Sequence, residues 1–114
     1  ISLLGGHQTD FARVSSREGL DISDMMREAI DGALAATQLD ADEIDTIHVG
    51  NAFAELYRGQ GHLAALAVQV QPAFHGKPAM RHEAACASSS IAVLTATAEI
   101  EAGRYDFALV LGVE

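Results

Sequence analysis

"HEAACASSSIAVLTATAEIEAGRYDFALVLGVE", residues 82–114, is the stretch on which the fold turns. Its last part, residues 107–112 (FALVLG), is an unbroken apolar run. A strand with no polar alternation has both faces buried, as in parallel sheets covered by helices. The middle, from Ser88 to Ala102, reads as a helix with Gly103 as its C-terminal cap. Ile91, Ala92, Val93, Leu94, Ala96 and Ala98 leave that helix no charged face before Glu99. A helix that is apolar all round is buried all round. The only cysteine, Cys86, falls where the strand pattern gives way to this helix.

Working outward, residues 21–39 (DISDMMREAIDGALAATQL) form the clearest helix. Ile22, Met25, Met26, Ala29, Ile30, Ala33 and Leu34 recur at helical spacing and make one apolar face. Asp21 or Ser23 can cap its start by accepting free backbone N–H bonds. Residues 1–6 (ISLLGG) read as a short buried strand stopped by two glycines. Residues 46–49 read as a second strand, ended by Gly50-Asn51, and a glycine-containing loop follows through Gly61. Residues 62–70 (HLAALAVQV) suit a helix that stops before Pro72. Residues 79–85 (AMRHEAA) suit a third strand. The order β-α-β-α-β-α-β implies an α/β fold with a mostly parallel sheet, in one domain over residues 1–114. In a single α/β layer one side of the last helix would face water, so a second half is expected to cover it.

Composition narrows the function classes. Of 114 residues, 49% are hydrophobic and 20% charged, which fits a globular chain. The net charge of -9 disfavours nucleic-acid binding. One cysteine cannot form an internal disulfide, so a reducing, cytoplasmic setting is the default. The uncharged run from Ala84 to Ala98 is too short and too rich in Ser and Thr to span a membrane. The start lacks a basic leader and an initiator Met, and the end follows directly on an apolar segment. The chain is therefore expected to be part of a longer protein.

Cys86 carries the chemistry if any residue does. At a strand-to-helix turn, the free N–H groups of the first turn, such as those of Ala87 and Ser88, would lie near the thiol. The helix dipole would favour the thiolate. The competing reading is a small apolar residue that simply packs. His82 lies four residues earlier, about 13 Å along an extended strand at ~3.3 Å per residue. That is beyond hydrogen-bond reach of Cys86. His7, His48, His62 and His75 could act only through tertiary contacts, so none is assigned. Residues 59–64 (GQGHLA) match a G-x-G-x-x-A pattern, but the preceding strand ends too early for a dinucleotide turn. Ser88, Ser89 and Ser90 lack a nucleophile-elbow context and suit the first turn of a helix. Cys86 with His82 offers too few ligands for zinc, and no metal is assigned.

At these residues the chain resembles the thiolase superfamily. There a cysteine opens a buried helix, a glycine follows that helix, and the next strand ends in a Gly-Val/Met-Glu type sequence. Here those residues are Cys86, Gly103 and Gly112-Val113-Glu114. Residues 44–68 (IDTIHVGNAFAELYRGQGHLAALAV) are similar to the strand, Gly-Asn turn and loop that lead into the second helix of that family. Ketosynthases share the fold, but their nucleophile lies further from the start. Ser89 stands where thiolases often have Gly, a departure that bears on specificity and activity. The resemblance implies that Cys86 accepts an acyl group from a CoA thioester, with its backbone N–H helping to hold the oxyanion. It implies no permanently bound cofactor, with the CoA thioester as substrate. A C-terminal thiolase-like half would supply a catalytic His and a second Cys, and a homodimer or tetramer is expected. A ketosynthase-type condensing enzyme and a non-catalytic thiolase-like protein are the alternatives. The 114 residues alone are expected to be inactive.

Overall fold

Three parallel strands, β1 (Thr46–Gly50), β2 (Ala79–His82) and β3 (Ala108–Gly112), form one sheet in the order β2-β1-β3. The computed structural model describes all residues, 1–114. Four helices accompany the sheet: α1 (Ile22–Thr37), α2 (Ala54–Arg58), α3 (Leu63–Val70) and α4 (Ser88–Glu101). The α/β class and the parallel sheet agree with the sequence reading. Central β1 is buried along its whole length, as a strand flanked on both edges and covered on both faces must be.

Strand alternation divides the two faces. Ile47 and Val49 of β1 stand beside Leu109 and Leu111 of β3. They pack with Met26 and Ile30 of α1, Leu63, Ala64, Ala67 and Val70 of α3, and Phe74. This is the main apolar core. The opposite face carries Thr46, His48 and Gly50 of β1 beside Ala108, Val110 and Gly112 of β3. On it lies α4, through Ser88, Ala92 and Ala96, which are buried and spaced by one helical turn. Small residues at this stripe let the helix axis approach the strands closely. The larger Ile91, Val93 and Leu94 point away and are exposed.

Helix α1 forms as its sequence dictates. The Asp21 side chain accepts from the N–H groups of Ser23 and Asp24, and Asp24 accepts from the Asp21 N–H in return. This reciprocal cap fixes the start at Ile22. A left-handed Gln38 (φ 57°) ends it. Entry into β1 and β3 is pinned by Asp45. Its Oδ2 accepts from the N–H groups of Asp106 and Phe107, both at 3.0 Å, and its own N–H donates to the Phe107 carbonyl at 2.9 Å.

Two expectations are corrected. Residues 1–6 form no strand: no backbone hydrogen bond involves residues 1–9, and Ile1, Leu3 and Leu4 are exposed. A strand exists only where its N–H and C=O groups meet a neighbour. The outer edge of β3 is open in the order β2-β1-β3, but residues 1–6 make no hydrogen bond to it. The segment instead borders an open gap of about 350 Å³ beside α1, α4 and β3. The second correction is α2, which forms inside the segment read as a loop. No helix is long and apolar enough to cross a membrane.

Candidate functional site

Strand β2 ends at His82 and α4 begins at Ser88. Between them the chain makes a single 3-10 turn, Ala85–Ala87, with Cys86 at its centre and exposed. The turn is tightly made. Ala87 N–H donates to the Ala84 carbonyl at 2.9 Å, and Ser88 N–H donates to the Ala85 carbonyl. The Ser88 hydroxyl donates to the same Ala85 carbonyl at 2.7 Å and accepts from the Ala84 N–H at 3.0 Å. This overturns one expectation: the N–H groups of Ala87 and Ser88 are consumed by the turn and are not free beside the thiol. The Cys86 N–H, by contrast, has no partner in the chain.

Strain accompanies the turn. Ala85 has φ 49°, in the left-handed region that costs a side-chain-bearing residue roughly 1–2 kcal/mol. The Glu83 carboxylate accepts the Ala85 N–H at 2.8 Å and helps hold it there. Such strain persists only where surrounding bonds fix it, and it clusters at functional turns.

Two glycines bring α4 down onto the strand ends. A Cβ on Gly50 would lie 2.6 Å from the Ser89 Cα and 2.7 Å from its N. A Cβ on Gly112 would lie 2.6 Å from the Ser89 Oγ. Ser89 therefore sits over the hollow that Gly50 and Gly112 leave. The Ser89 side chain is accommodated by these glycines on β1 and β3.

The strand ends are also bonded to each other. Asn51 is buried, and its amide donates to the Val113 carbonyl at 2.7 Å while its Oδ1 accepts from Ala54 N–H at 3.2 Å. Glu114 accepts from the N–H groups of Ala52 and Phe53 at 2.9 and 2.8 Å. The Gly50-Asn51 and Gly112-Val113-Glu114 segments thus form one rim. An open cleft of about 610 Å³ lies against it, lined by Cys86, Ser89, Gly50, Gly112 and Glu114 and by His7 and Phe11 of the N-terminal segment. Arg13, which also lines the cleft, ties that segment to α1 through Glu28 at 3.1 Å. Gly59 of the G-x-G-x-x-A stretch caps the end of α2, while the preceding strand ends at Gly50. It forms no dinucleotide turn.

Sequence reasoning missed a second group. His48 is fully buried on β1. Its Nε2 lies 3.0 Å from Glu99 Oε2 on α4, and its Nδ1 lies 2.9 Å from Nε2 of His82 on β2. The two rings stack, with centroids 5.1 Å apart. Thr46 donates to the same Glu99 oxygen at 3.3 Å. Burial, then the neighbouring His48, push the His82 pKa below its ordinary value, and Glu99 partly opposes them. The one local hint was Glu99, the first charge on an otherwise apolar helix. No group of three or more His, Cys, Asp or Glu side chains is arranged to hold a metal ion.

The family model for the thiolase N-terminal domain matches residues 1–114. An acetyl-CoA acetyltransferase of Methanocaldococcus jannaschii is 35% identical over the whole chain, which covers 28% of that protein. An acetyl-CoA acetyltransferase of Methanothermobacter thermautotrophicus is 29% identical over the whole chain, which covers 29% of that protein. The chain thus spans less than a third of the length of the curated relatives it matches. With its parallel sheet, its cysteine turn and its Gly-Asn and Gly-Val-Glu rim, this chain belongs to the thiolase family, as an N-terminal domain.

Proposed function

We propose that this domain supplies the nucleophile of a thiolase-type acyltransferase, and that the nucleophile is Cys86. The observation that carries the reading is the exposed Cys86 on a strained turn, opening on a cleft, with its own N–H unbonded. The Cys86 thiolate adds to the carbonyl carbon of an acyl-CoA thioester. The carbonyl oxygen takes up the negative charge, and the free Cys86 N–H donates to it. Collapse breaks the bond from carbon to the CoA sulfur. CoA leaves as a thiol once protonated, and the acyl group stays on Cys86. Transfer to an acetyl-CoA enolate gives a 3-ketoacyl-CoA, and the reverse sequence cleaves one. The names of the relatives support an acetyl group as the transferred unit.

No His of this domain is bonded to Cys86, so the proton transfers fall to groups outside residues 1–114. A C-terminal thiolase-like half would supply them and would cover the exposed outer side of α4. The assembly is proposed to be a homodimer or tetramer in the cytoplasm, with an acyl-CoA as its small-molecule partner. CoA thioester enters as substrate, and no resident cofactor is required by the chemistry.

The test is direct. The native polypeptide that carries these residues is mixed with isotope-labelled acetyl-CoA, quenched in acid and digested. Label is expected on the peptide containing Cys86, and Cys86→Ala should abolish it while leaving the thermal midpoint within a few degrees. Label on another residue, or none, would remove the nucleophile reading and favour the non-catalytic alternative. Labelling from an acyl carrier protein but not from CoA would favour the ketosynthase alternative.

A further inference from the structure

The face of the sheet under α4 is polar at one place only, where Thr46, His48, His82 and Glu99 meet. Hydrogen accounting fixes how they can bond. Glu99 is the acceptor, so His48 Nε2 carries the hydrogen between them. The Nδ1 of a neutral His48 is then a bare acceptor, and His82 Nε2 must donate to it. That leaves His82 Nδ1, which has no protein partner and is not among the buried unsatisfied atoms. A proton added there breaks no bond in the cluster. A proton added to His48 would set two donors face to face. Of the two imidazoles, only the outer nitrogen of His82 can therefore gain or lose a proton without rearranging the bonds.

Its position in the chain matters as much. His82 is the last residue of β2, and Glu99 lies in the last full turn of α4. Cys86 lies between them, and both are held by the same buried side chain on the central strand. The segment bearing the thiol is thus pinned at both ends through His48. On the proposed nucleophilic role of Cys86, we infer that His48, His82 and Glu99 are positioning residues for that thiol, and that the protonation of His82 is felt at Cys86. The segment from 82 to 86 extends at most about 14 Å, so an imidazolium at His82 lies near enough to favour the thiolate.

Few other charges face this cluster. On β1 the only titratable group is His48. On β2, Arg81 points to the opposite face and donates to the Ala52 carbonyl. On β3, Ala108, Val110 and Gly112 carry none. On α4, Glu101 makes no bond to the cluster, and Glu83 of the connecting turn is bonded to Ala85 N–H. The direction of titration follows. His82 is neutral at high pH and becomes a cation at a lower pH than an ordinary histidine, because burial and His48 disfavour the charge.

Iodoacetamide alkylation of Cys86 in the native polypeptide, followed from pH 5 to 8, tests this together with NMR titration of the His82 ring. The alkylation profile is expected to inflect at the pH where His82 titrates. On the acid side of that point the rate should exceed a simple thiol titration by about threefold. Glu99→Gln retains an acceptor for His48 but removes the charge that favours the cation, so both inflections should move together to lower pH. His82→Phe keeps a ring against His48 and should erase the inflection. Superimposable profiles in wild type and Glu99→Gln would overturn the inference. If His82→Phe fails to fold, two different midpoints in the wild-type protein would overturn it equally. Alkylation needs no CoA. A Cys86 that follows His82 but never takes acetyl would therefore refute the acyl-transfer reading and leave this coupling standing.

Discussion

Ser89 has two glycine neighbours, but they constrain it differently. The Cβ of Gly50→Ala would meet the Ser89 backbone, at 2.6 Å from Cα and 2.7 Å from N, as well as its Oγ at 2.7 Å. Backbone in the first turn of a helix cannot move without displacing the cysteine turn. The Cβ of Gly112→Ala would meet the Ser89 Oγ at 2.6 Å, and the next atom is at 3.7 Å. A hydroxyl can rotate away. Gly50→Ala is therefore expected to cost about 2 kcal/mol or more, within the range for overpacking, and Gly112→Ala about 1 kcal/mol or less. Adding Ser89→Gly should cancel the Gly112→Ala loss but relieve only the Oγ part of the Gly50→Ala clash, leaving most of that loss. Urea unfolding of the four variants measures this. Equal losses at the two glycines, or a full rescue of Gly50→Ala by Ser89→Gly, would show that α4 is not seated as described.

At the scale of elements, Asp45 makes the start of the sheet sensitive to acid. The N–H of Phe107, then that of Asp106, hold its carboxyl below the ordinary pKa. A carboxyl depressed in the folded state adds stability above its ordinary value of about 3.9. That contribution is lost as the pH falls through this value toward the lowered one. Asp45→Asn keeps an acceptor for the two N–H groups but cannot titrate. Its stability is expected to vary less than that of wild type between pH 5 and pH 3, as followed by urea midpoints. Parallel curves for the two proteins would refute the role. Bonds of this kind explain which elements were legible in the sequence. Helix α1 was, because its cap, its apolar stripe and its stop all lie within its own residues. The β3 strand and the span of α4 were legible for the same reason, but which side of α4 meets the sheet was not. Residues 1–6 have a strand's composition, yet a strand depends on a neighbour that local pattern does not specify. The position of Cys86 could be read from the strand-to-helix switch. The joining of His48 to His82 and Glu99 could not, since those contacts span 34 and 51 residues.

At the scale of the molecule, the two faces of the sheet are covered unequally. Toward α1 and α3, large side chains such as Met26, Ile30, Leu63 and Phe74 fill the space and are sealed from water. Toward α4, the seal is made by Ala92 and Ala96, and the larger apolar side chains turn outward. Ile91, Val93 and Leu94 are 39%, 50% and 64% exposed. Adjacent apolar side chains on one helix make a patch that water does not favour, and such patches mark sites of association. The 114 residues studied alone should therefore self-associate through α4. Sedimentation of this segment across a concentration series is expected to show species larger than a monomer. Ile91→Gln and Leu94→Gln remove apolar surface without touching the core, so circular dichroism should be unchanged. Each should weaken association by about tenfold or more, because burying one such side chain is worth ~1.5–3 kcal/mol. A segment that stays monomeric at all concentrations, or one whose association ignores both substitutions, would mean that the outer side of α4 needs no cover. The proposed packing of a second half against it would then lose its physical motive.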